Sequence, residues 1–89
     1  MAEIAAVQNP VTEYARRRGW LVRRVTFLGR RGCPDSWCFR NGRVKIIEFK
    51  DKGKEPDEQQ WRRIRELRGA GMEVHVIDNY EAGCALFDD

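Results

Sequence analysis

The stretch GCPDSWCFRNGRVKIIEFK, residues 32–50, predicts a β-hairpin around which the rest of the chain is organised. Asn41-Gly42 lies between two runs that lean apolar, and a two-residue type I′ turn needs residues that tolerate positive φ. If these two residues form the turn, the numbers of any two facing residues add up to 83. Asp35 is therefore predicted to face Glu48, with Cβ atoms about 4.5–5.5 Å apart.

The hairpin also predicts a charged site on one face. Side chains alternate between the faces of a strand, which places Asp35, Glu48 and Lys50 on the same side. Facing carboxylates repel each other, so a positive group is expected between them. Carboxylate oxygens suit Mg²⁺ or Mn²⁺, and a neighbouring lysine can orient an attacking water. Two carboxylates and a lysine on one face therefore predict metal-assisted phosphodiester hydrolysis.

The simpler interpretation makes Asp35 a turn or cap residue and leaves Glu48 and Lys50 as solvated charges at a strand end. The apolar-leaning run of residues 44–47 argues against it, because that run predicts a strand that is at least half buried. An acid at the end of such a strand is not an ordinary surface residue.

The charge is divided unevenly along the chain. Residues 1–50 hold eleven basic and four acidic side chains, whereas residues 51–89 hold six and ten. Thirteen of the seventeen cationic side chains are arginine, which suits bidentate contacts to phosphate. A basic half around a two-acid site favours a polyanionic substrate held by its phosphates. The alternative is that the arginines form ordinary solvated faces.

Length and composition indicate one small domain over residues 1–89, which a partner subunit would help to stabilise. No apolar run approaches the ~18 residues of a membrane span, and no signal peptide is evident, so we expect a cytoplasmic location. Cys33, Cys38 and Cys84 lack CxxC spacing and are predicted to be reduced packing residues rather than zinc ligands.

Capping and turn signals predict the elements before the hairpin. A first helix is expected over residues 9–18, because proline is tolerated in a first helical turn and Gly19 provides a stop. A first strand follows over residues 21–27. The loop of residues 28–34 then places two arginines between glycines, where the backbone can approach a phosphate closely; an ordinary glycine-rich turn is the alternative. These arginines are Arg30 and Arg31.

A second helix is predicted to begin with a capping box made by Asp57 and Gln60 and to continue to about Arg68. Gln60 also heads the apolar stripe of this helix, so it either closes the capping box or faces the strand of Glu48. We expect these two roles to exclude each other. Three arginines of the helix are predicted to lie mostly away from the stripe, namely Arg62, Arg63 and Arg65.

A last strand is predicted over residues 73–77. A strand–helix–strand order requires a right-handed crossover, which places this strand parallel to that of Glu48. His75, the only histidine, is far in sequence from the site loops and is expected to be structural or exposed. A short helix follows over about residues 80–86.

At these residues the chain resembles a known nuclease family. Pro34-Asp35 followed by Glu48-Phe49-Lys50 resembles the signature of the PD-(D/E)XK superfamily. The surrounding GRRGCPDSW and VKIIEFK and the glutamine-bearing helix resemble its VRR-Nuc family. That family includes small phage and bacterial stand-alone nucleases and the C-terminal nuclease domain of the Fanconi-associated nuclease. The resemblance runs from about residue 16 to residue 77.

The resemblance implies roles for individual residues. Asp35 and Glu48 would be metal ligands, the main-chain carbonyl of Phe49 a third, and Lys50 the catalytic lysine. Gln60 would lie near the site as a catalytic residue, because its spacing to the following leucine and glycine matches the family better than that of the preceding glutamine.

Nucleases of this type usually carry an acid on the first helix near the metal. Gln8 is the better match to that position, and its amide oxygen can still ligate, although it adds no charge. Glu13 is the alternative, but it is predicted to point away from the apolar face of the helix. Surface roles for both residues are equally compatible with the sequence.

Together, residues and resemblance predict an α/β, restriction-endonuclease-like fold. A mixed four-stranded sheet, an antiparallel meander plus one parallel strand, would be flanked by helices in the order α-β-β-β-α-β. The resemblance implies a Mg²⁺- or Mn²⁺-dependent, structure-selective DNA endonuclease, a homodimer that acts on branched DNA or four-way (Holliday) junctions in a bacterial cytoplasm or phage-infected host. The predicted DNA-binding residues are Arg23, Arg24, Arg30 and Arg31.

Two alternatives remain from the sequence. One is a non-catalytic nucleic-acid-binding module with a degenerate nuclease site, which the glutamine at position 8 favours. The other is a nuclease that acts on RNA.

Overall fold

The structure, a computed structural model, describes residues 2–26 and 35–88, with side chains from residue 5 onward. The predicted arginine loop of residues 28–34 therefore lies outside the described residues. The elements are α1 (Ala2–Arg17), β1 (Leu21–Val25), β2 (Asp35–Arg40), β3 (Arg43–Phe49), α2 (Glu58–Gly69), β4 (Glu73–Ile77) and α3 (Tyr80–Ala85).

The four strands form one mixed sheet in the order β1-β2-β3-β4. The first three strands are antiparallel, whereas β4 is parallel to β3. Asn41 and Gly42 have φ values of 51° and 79°, as a type I′ turn requires. Pairs from Arg40–Arg43 to Ser36–Ile47 follow the predicted register. The predicted fold class and hairpin are therefore confirmed.

Helices cover both faces of the sheet, and β3 contributes to both layers of the core. On one side, Ile47 and Phe49 pack with α1 and α3 in a cluster that includes Val11 and Phe87. On the other side, Ile46 packs with residues of α2 and β4 in a second cluster, notably Ile64 and Val74. Neighbouring isoleucines of one strand thus face opposite layers, since strand side chains alternate.

The start of α1 differs from the prediction. The helix begins at Ala2 rather than Asn9, and Pro10 lies inside it. Proline removes one backbone donor, the one that would serve the carbonyl four residues earlier. The hydroxyl of Thr12 adds local contacts to the carbonyls of Gln8 (2.9 Å) and Asn9 (3.2 Å). Burial of an apolar stripe that begins before the proline, at Val7, also favours a continuous helix.

The other predicted boundaries are close to those observed. Gly19 ends α1 with φ of 89°, and β1 ends at Val25, whereas the prediction extended to residue 27, which is outside the described residues. The capping box of α2 is present, with Asp57 as N-cap. α3 is capped by Asn79, whose side-chain oxygen accepts from the backbone N–H of Ala82 at 2.8 Å.

Cys38 and Cys84 are free and buried, as predicted, and burial raises the pKa of Cys38 to about 11. Cys33 lies outside the described residues. Within the described part of the chain, no helix is both long enough and apolar enough to cross a membrane.

Candidate active site

The hairpin brings Asp35 and Glu48 together in the interior. Asp35 is the first residue of β2 and Glu48 the next-to-last of β3, one step beyond the last registered pair of the two strands. Their exposed fractions are only 3% and 2%. The two carboxyl groups are within hydrogen-bonding distance of each other, which puts two acids at one point under α2.

Burial dominates the electrostatics of this pair. The pKa of Glu48 is raised from 4.5 to about 8, first by burial and then by the hydrogen bond and the charge of Asp35. The positive charges of Arg63 and Lys50 oppose this shift without cancelling it. Burial therefore outweighs the two nearby cations and keeps the pKa of Glu48 raised.

Arg63 makes the closest positive contact to both acids. Its Nη2 donates to Asp35 Oδ1 at 3.0 Å and to Glu48 Oε1 at 2.7 Å, and its side chain is 10% exposed. The prediction that Arg63 lies away from the site was wrong. A signal was present, because residue 63 follows Gln60 by three positions and so lies on the same side of the helix.

Gln60 connects the acids to the lysine. Its Oε1 accepts from Lys50 Nζ at 3.2 Å, and its Nε2 donates to Glu48 Oε2 at 3.2 Å. The same Oε1 accepts from the backbone N–H of Asp57 at 2.9 Å and so closes the capping box. The expectation that these roles exclude each other was wrong, because an amide has two ends and its oxygen has two lone pairs.

The strand end that carries Lys50 is fixed by the neighbouring strand. The backbone N–H of Lys50 donates to the carbonyl of Ile77 at 2.9 Å. The Phe49 side chain is buried in the core on the α1 and α3 side. The backbone of Phe49, whose carbonyl is the predicted third ligand, thus lies between Glu48 and Lys50 at an anchored position.

Gln8 and Glu13 differ sharply in environment. Glu13 is 59% exposed and pairs with arginines of its own helix, in agreement with its predicted outward orientation. Gln8 is 4% exposed and lines a pocket of about 320 Å³ together with Arg24 and Ser36. This pocket lies on the α1 side of the sheet, next to the residue that follows Asp35. A ligand role for Gln8 stays a prediction.

The predicted DNA-binding arginines of β1 lie on different faces. Arg23 pairs with Trp37 across the strands and so shares the sheet face of Asp35, whereas Arg24 pairs with Ser36 on the α1 side. Both are exposed. The other two predicted DNA-binding residues, Arg30 and Arg31, lie outside the described residues.

His75 is not part of the site. Its Nε2 lies 2.8 Å from Glu73 Oε2 on the same strand, and its side chain is 30% exposed. This agrees with the predicted structural or exposed role.

The donor set fits a divalent metal ion with few protein ligands. No group of three or more His, Cys, Asp and Glu side chains suited to a metal occurs in residues 2–26 and 35–88. Mg²⁺, however, commonly uses one or two carboxylates and keeps several waters. Asp35 and Glu48 both reach one nitrogen of Arg63, so their oxygens converge closely enough to share a cation.

Comparisons with known proteins agree with this geometry. No protein-family model and no curated protein matches the sequence. A solved structure of a VRR_NUC domain matches with a TM-score of 0.86 and 28% sequence identity, over 97% of this chain and 95% of that chain. The match therefore includes all four strands and α2, without a large insertion in either protein. The predicted resemblance to the VRR-Nuc family is therefore confirmed over nearly the whole chain, at the level of similarity to a VRR_NUC domain.

Proposed function

We propose that this chain is a metal-dependent nuclease that hydrolyses phosphodiester bonds in DNA. The observation that carries the proposal is the convergence of two buried carboxylates, Asp35 and Glu48, beside Lys50. A pair of acids that repel each other inside a protein is costly. Its presence, in a domain similar to VRR_NUC, supports a site built to hold a cation.

Asp35, Glu48 and the main-chain carbonyl of Phe49 would hold Mg²⁺ or Mn²⁺. When bound, such an ion supplies a water of lowered pKa and polarises the scissile phosphate. Lys50 lies at the strand end with its Nζ held by Gln60, where it can orient the attacking water and balance charge on the phosphorane. Gln60 would act by positioning, since it touches both Lys50 and Glu48.

The basic half of the chain supports a substrate held by its backbone. Arg23 is exposed on the same sheet face as Asp35, and the loop of Arg30 and Arg31 directly precedes that acid in sequence. Contacts of this kind hold phosphates without reading bases. We therefore propose selectivity for DNA shape, including branched DNA and four-way junctions, by a homodimer in the cytoplasm. Branched DNA and the homodimer rest on family resemblance, and the cytoplasmic location on the sequence expectation given above.

The decisive experiment is a cleavage panel with labelled junction, flap, linear duplex and single-stranded DNA, and RNA counterparts, in Mg²⁺, Mn²⁺ or EDTA. We expect cleavage of branched DNA with either metal and none in EDTA. Asp35→Asn and Glu48→Gln should lower the rate at least a thousandfold while DNA binding is retained. Lys50→Ala should lower it by orders of magnitude with little change in Tm.

The matched control is Glu66→Gln, which removes an exposed acid from α2 and should cut like the wild type. Full activity in either Asp35→Asn or Glu48→Gln would rule out the site. DNA binding with no metal-dependent cleavage of any substrate would support the alternative of a non-catalytic module. Preferential cleavage of the RNA counterparts would replace DNA as the substrate class.

A further inference from the structure

The side chain that contacts both acids most directly is cationic and belongs to the protein itself. Arg63 Nη2 lies 2.7 Å from Glu48 Oε1 and 3.0 Å from Asp35 Oδ1. A single nitrogen thus bridges one oxygen from each carboxylate. A divalent ion held by Asp35 and Glu48 would need the same two carboxyl groups.

We infer that Arg63 is an internal counterion in the metal site, and that a divalent ion binds by displacing its guanidinium from Asp35 and Glu48. The inference rests on the proposed function, because it assumes that these two acids are the metal ligands. It assigns to Arg63 a role in setting metal affinity.

The charges of the cluster support displacement rather than coexistence. Asp35 and Glu48 carry two negative charges when ionised, and Arg63 and Lys50 carry two positive charges beside them. A divalent ion added to this set would leave two excess positive charges in a region that is almost fully buried. Excess charge of either sign is unfavourable where water cannot screen it.

Distance also makes the two cations compete. Mg²⁺ binds oxygen at about 2.0–2.1 Å, closer than the guanidinium nitrogen does, so an ion on the same oxygens would stand beside Nη2 with twice its charge. Lys50 is less affected, because its Nζ donates to Gln60 Oε1. Arg63 is therefore the cation that has to move.

The test measures metal affinity and does not require turnover. Arg63→Met keeps most of the side-chain length and removes the charge, and Arg62→Met is the matched control on an exposed position of the same helix. The Kd for Mn²⁺ would be measured by electron paramagnetic resonance of the free ion and by calorimetry, at one pH and low salt. Tm would be measured in EDTA and in saturating Mn²⁺.

We expect Arg63→Met to bind Mn²⁺ at least tenfold more tightly than the wild type, with Arg62→Met within twofold of it. Mn²⁺ should also raise the Tm of Arg63→Met by more than it raises that of the wild type. Unchanged or weaker Mn²⁺ binding by Arg63→Met, including no binding, would overturn the inference.

Two further variants separate the possible failures. If Arg63→Met does not fold, Arg63→Gln replaces it, since the neutral amide also removes the counter-charge while keeping a hydrogen-bond donor. Its Mn²⁺ affinity should then exceed that of the wild type, and an equal or lower affinity overturns the inference. If Glu48→Gln binds Mn²⁺ as the wild type does, the proposed metal site itself is wrong. If Glu48→Gln loses Mn²⁺ while Arg63→Met equals the wild type, only the role of Arg63 is wrong.

Discussion

Glu48 is subject to opposing demands from stability and from chemistry. Its carboxylate is 98% buried next to another acid, a combination that destabilises the folded chain. Hydrogen bonds from Gln60 and Arg63 offset part of this cost. The same arrangement gives two oxygen donors, shielded from water, at the end of a rigid strand. The two acids thus need a cation beside them, which Arg63 provides in this structure and which a metal ion would provide in the proposed mechanism.

The first prediction concerns the pH dependence of stability in EDTA. The unfolded chain releases the Glu48 proton near 4.5, whereas the folded chain keeps it to about 8. Between these values the folded form binds the extra proton, so stability falls as pH rises from about 4.5 to about 8. Glu48→Gln should remove this decline and raise Tm at pH 8 by several degrees, with little gain below pH 4.5.

Thermal melts of both proteins from pH 4 to pH 9 would check this. Glu66→Gln serves as control, because it removes an exposed acid from the same helix that covers the site. Parallel Tm–pH curves for the wild type and Glu48→Gln would contradict the raised pKa.

At this scale the sequence predicted the acids but missed their partner. The position of Asp35 and Glu48 opposite each other on one face follows from the two-residue turn and from the alternation of strand side chains. Both are local rules. Arg63 was predicted, from helical spacing, to lie mostly away from the apolar stripe of α2. Its partners come from strands 15 and 28 residues away, and that proximity depends on how α2 docks on the sheet.

At the scale of elements, the hairpin turn sets the spacing of the acids. Gly42 has φ of 79°, and a Cβ there would meet nothing within 4 Å, so a side chain is opposed by backbone strain alone. Gly42→Ala should therefore cost about 1–2 kcal/mol. Each kcal/mol corresponds to a Tm change of roughly 4–8 °C in a domain of this size.

Gly69→Ala is a control of opposite sign. Gly69 is the last residue of α2, and a Cβ there also meets nothing within 4 Å, but its φ is not positive. Alanine should stabilise the helix by up to about 1 kcal/mol. Chemical denaturation of both variants would show the contrast, and two losses of equal size would refute the assignment of strain to the turn.

Gln60, in the first turn of α2, both closes the capping box of the helix and contacts residues of the candidate site. Asp57→Ala removes the N-cap and should cost about 0.5–2 kcal/mol without slowing cleavage. Gln60→Ala should destabilise the helix by a similar amount and also lower the cleavage rate at least tenfold, because Lys50 and Glu48 lose a shared partner. Melts and single-turnover cleavage would be compared, and equal rates for the two variants would limit Gln60 to capping.

The boundary of α1 shows where element prediction failed. Local rules place proline in a first helical turn, which suggested a start at Asn9. The observed helix tolerates Pro10 in its interior, since packing of one continuous apolar face outweighs one lost hydrogen bond. Such packing depends on α3, more than 60 residues later, and is not visible in the local sequence.

At the scale of the whole molecule, the unequal charge of the two halves determines how DNA binding should respond to salt. Each phosphate contact to duplex DNA adds about 0.9 to the slope of log K against log salt. Arg23→Gln/Arg24→Gln should therefore reduce that slope by up to about 1.8. Charge reversal at Arg30 and Arg31 should weaken binding and flatten the slope further.

The control for this titration is Arg62→Gln/Arg65→Gln, which makes the same change of net charge on exposed positions in the acidic half. Fluorescence anisotropy with a labelled junction, from low to moderate salt, would measure the slopes. An equal change in both double variants would show that net charge, rather than a defined arginine surface, controls binding.

The site is divided between the sheet, which carries Asp35 and Glu48, and α2, which carries Gln60 and Arg63. β3 is hydrogen-bonded to a strand on each side, whereas α2 is held by apolar contacts centred on Ile64 and by side-chain hydrogen bonds to the sheet. A brief outward tilt of α2 would withdraw both polar partners while the acids kept their spacing. The frequency of this opening motion of α2 would then determine how often ions from solution can reach the two acids.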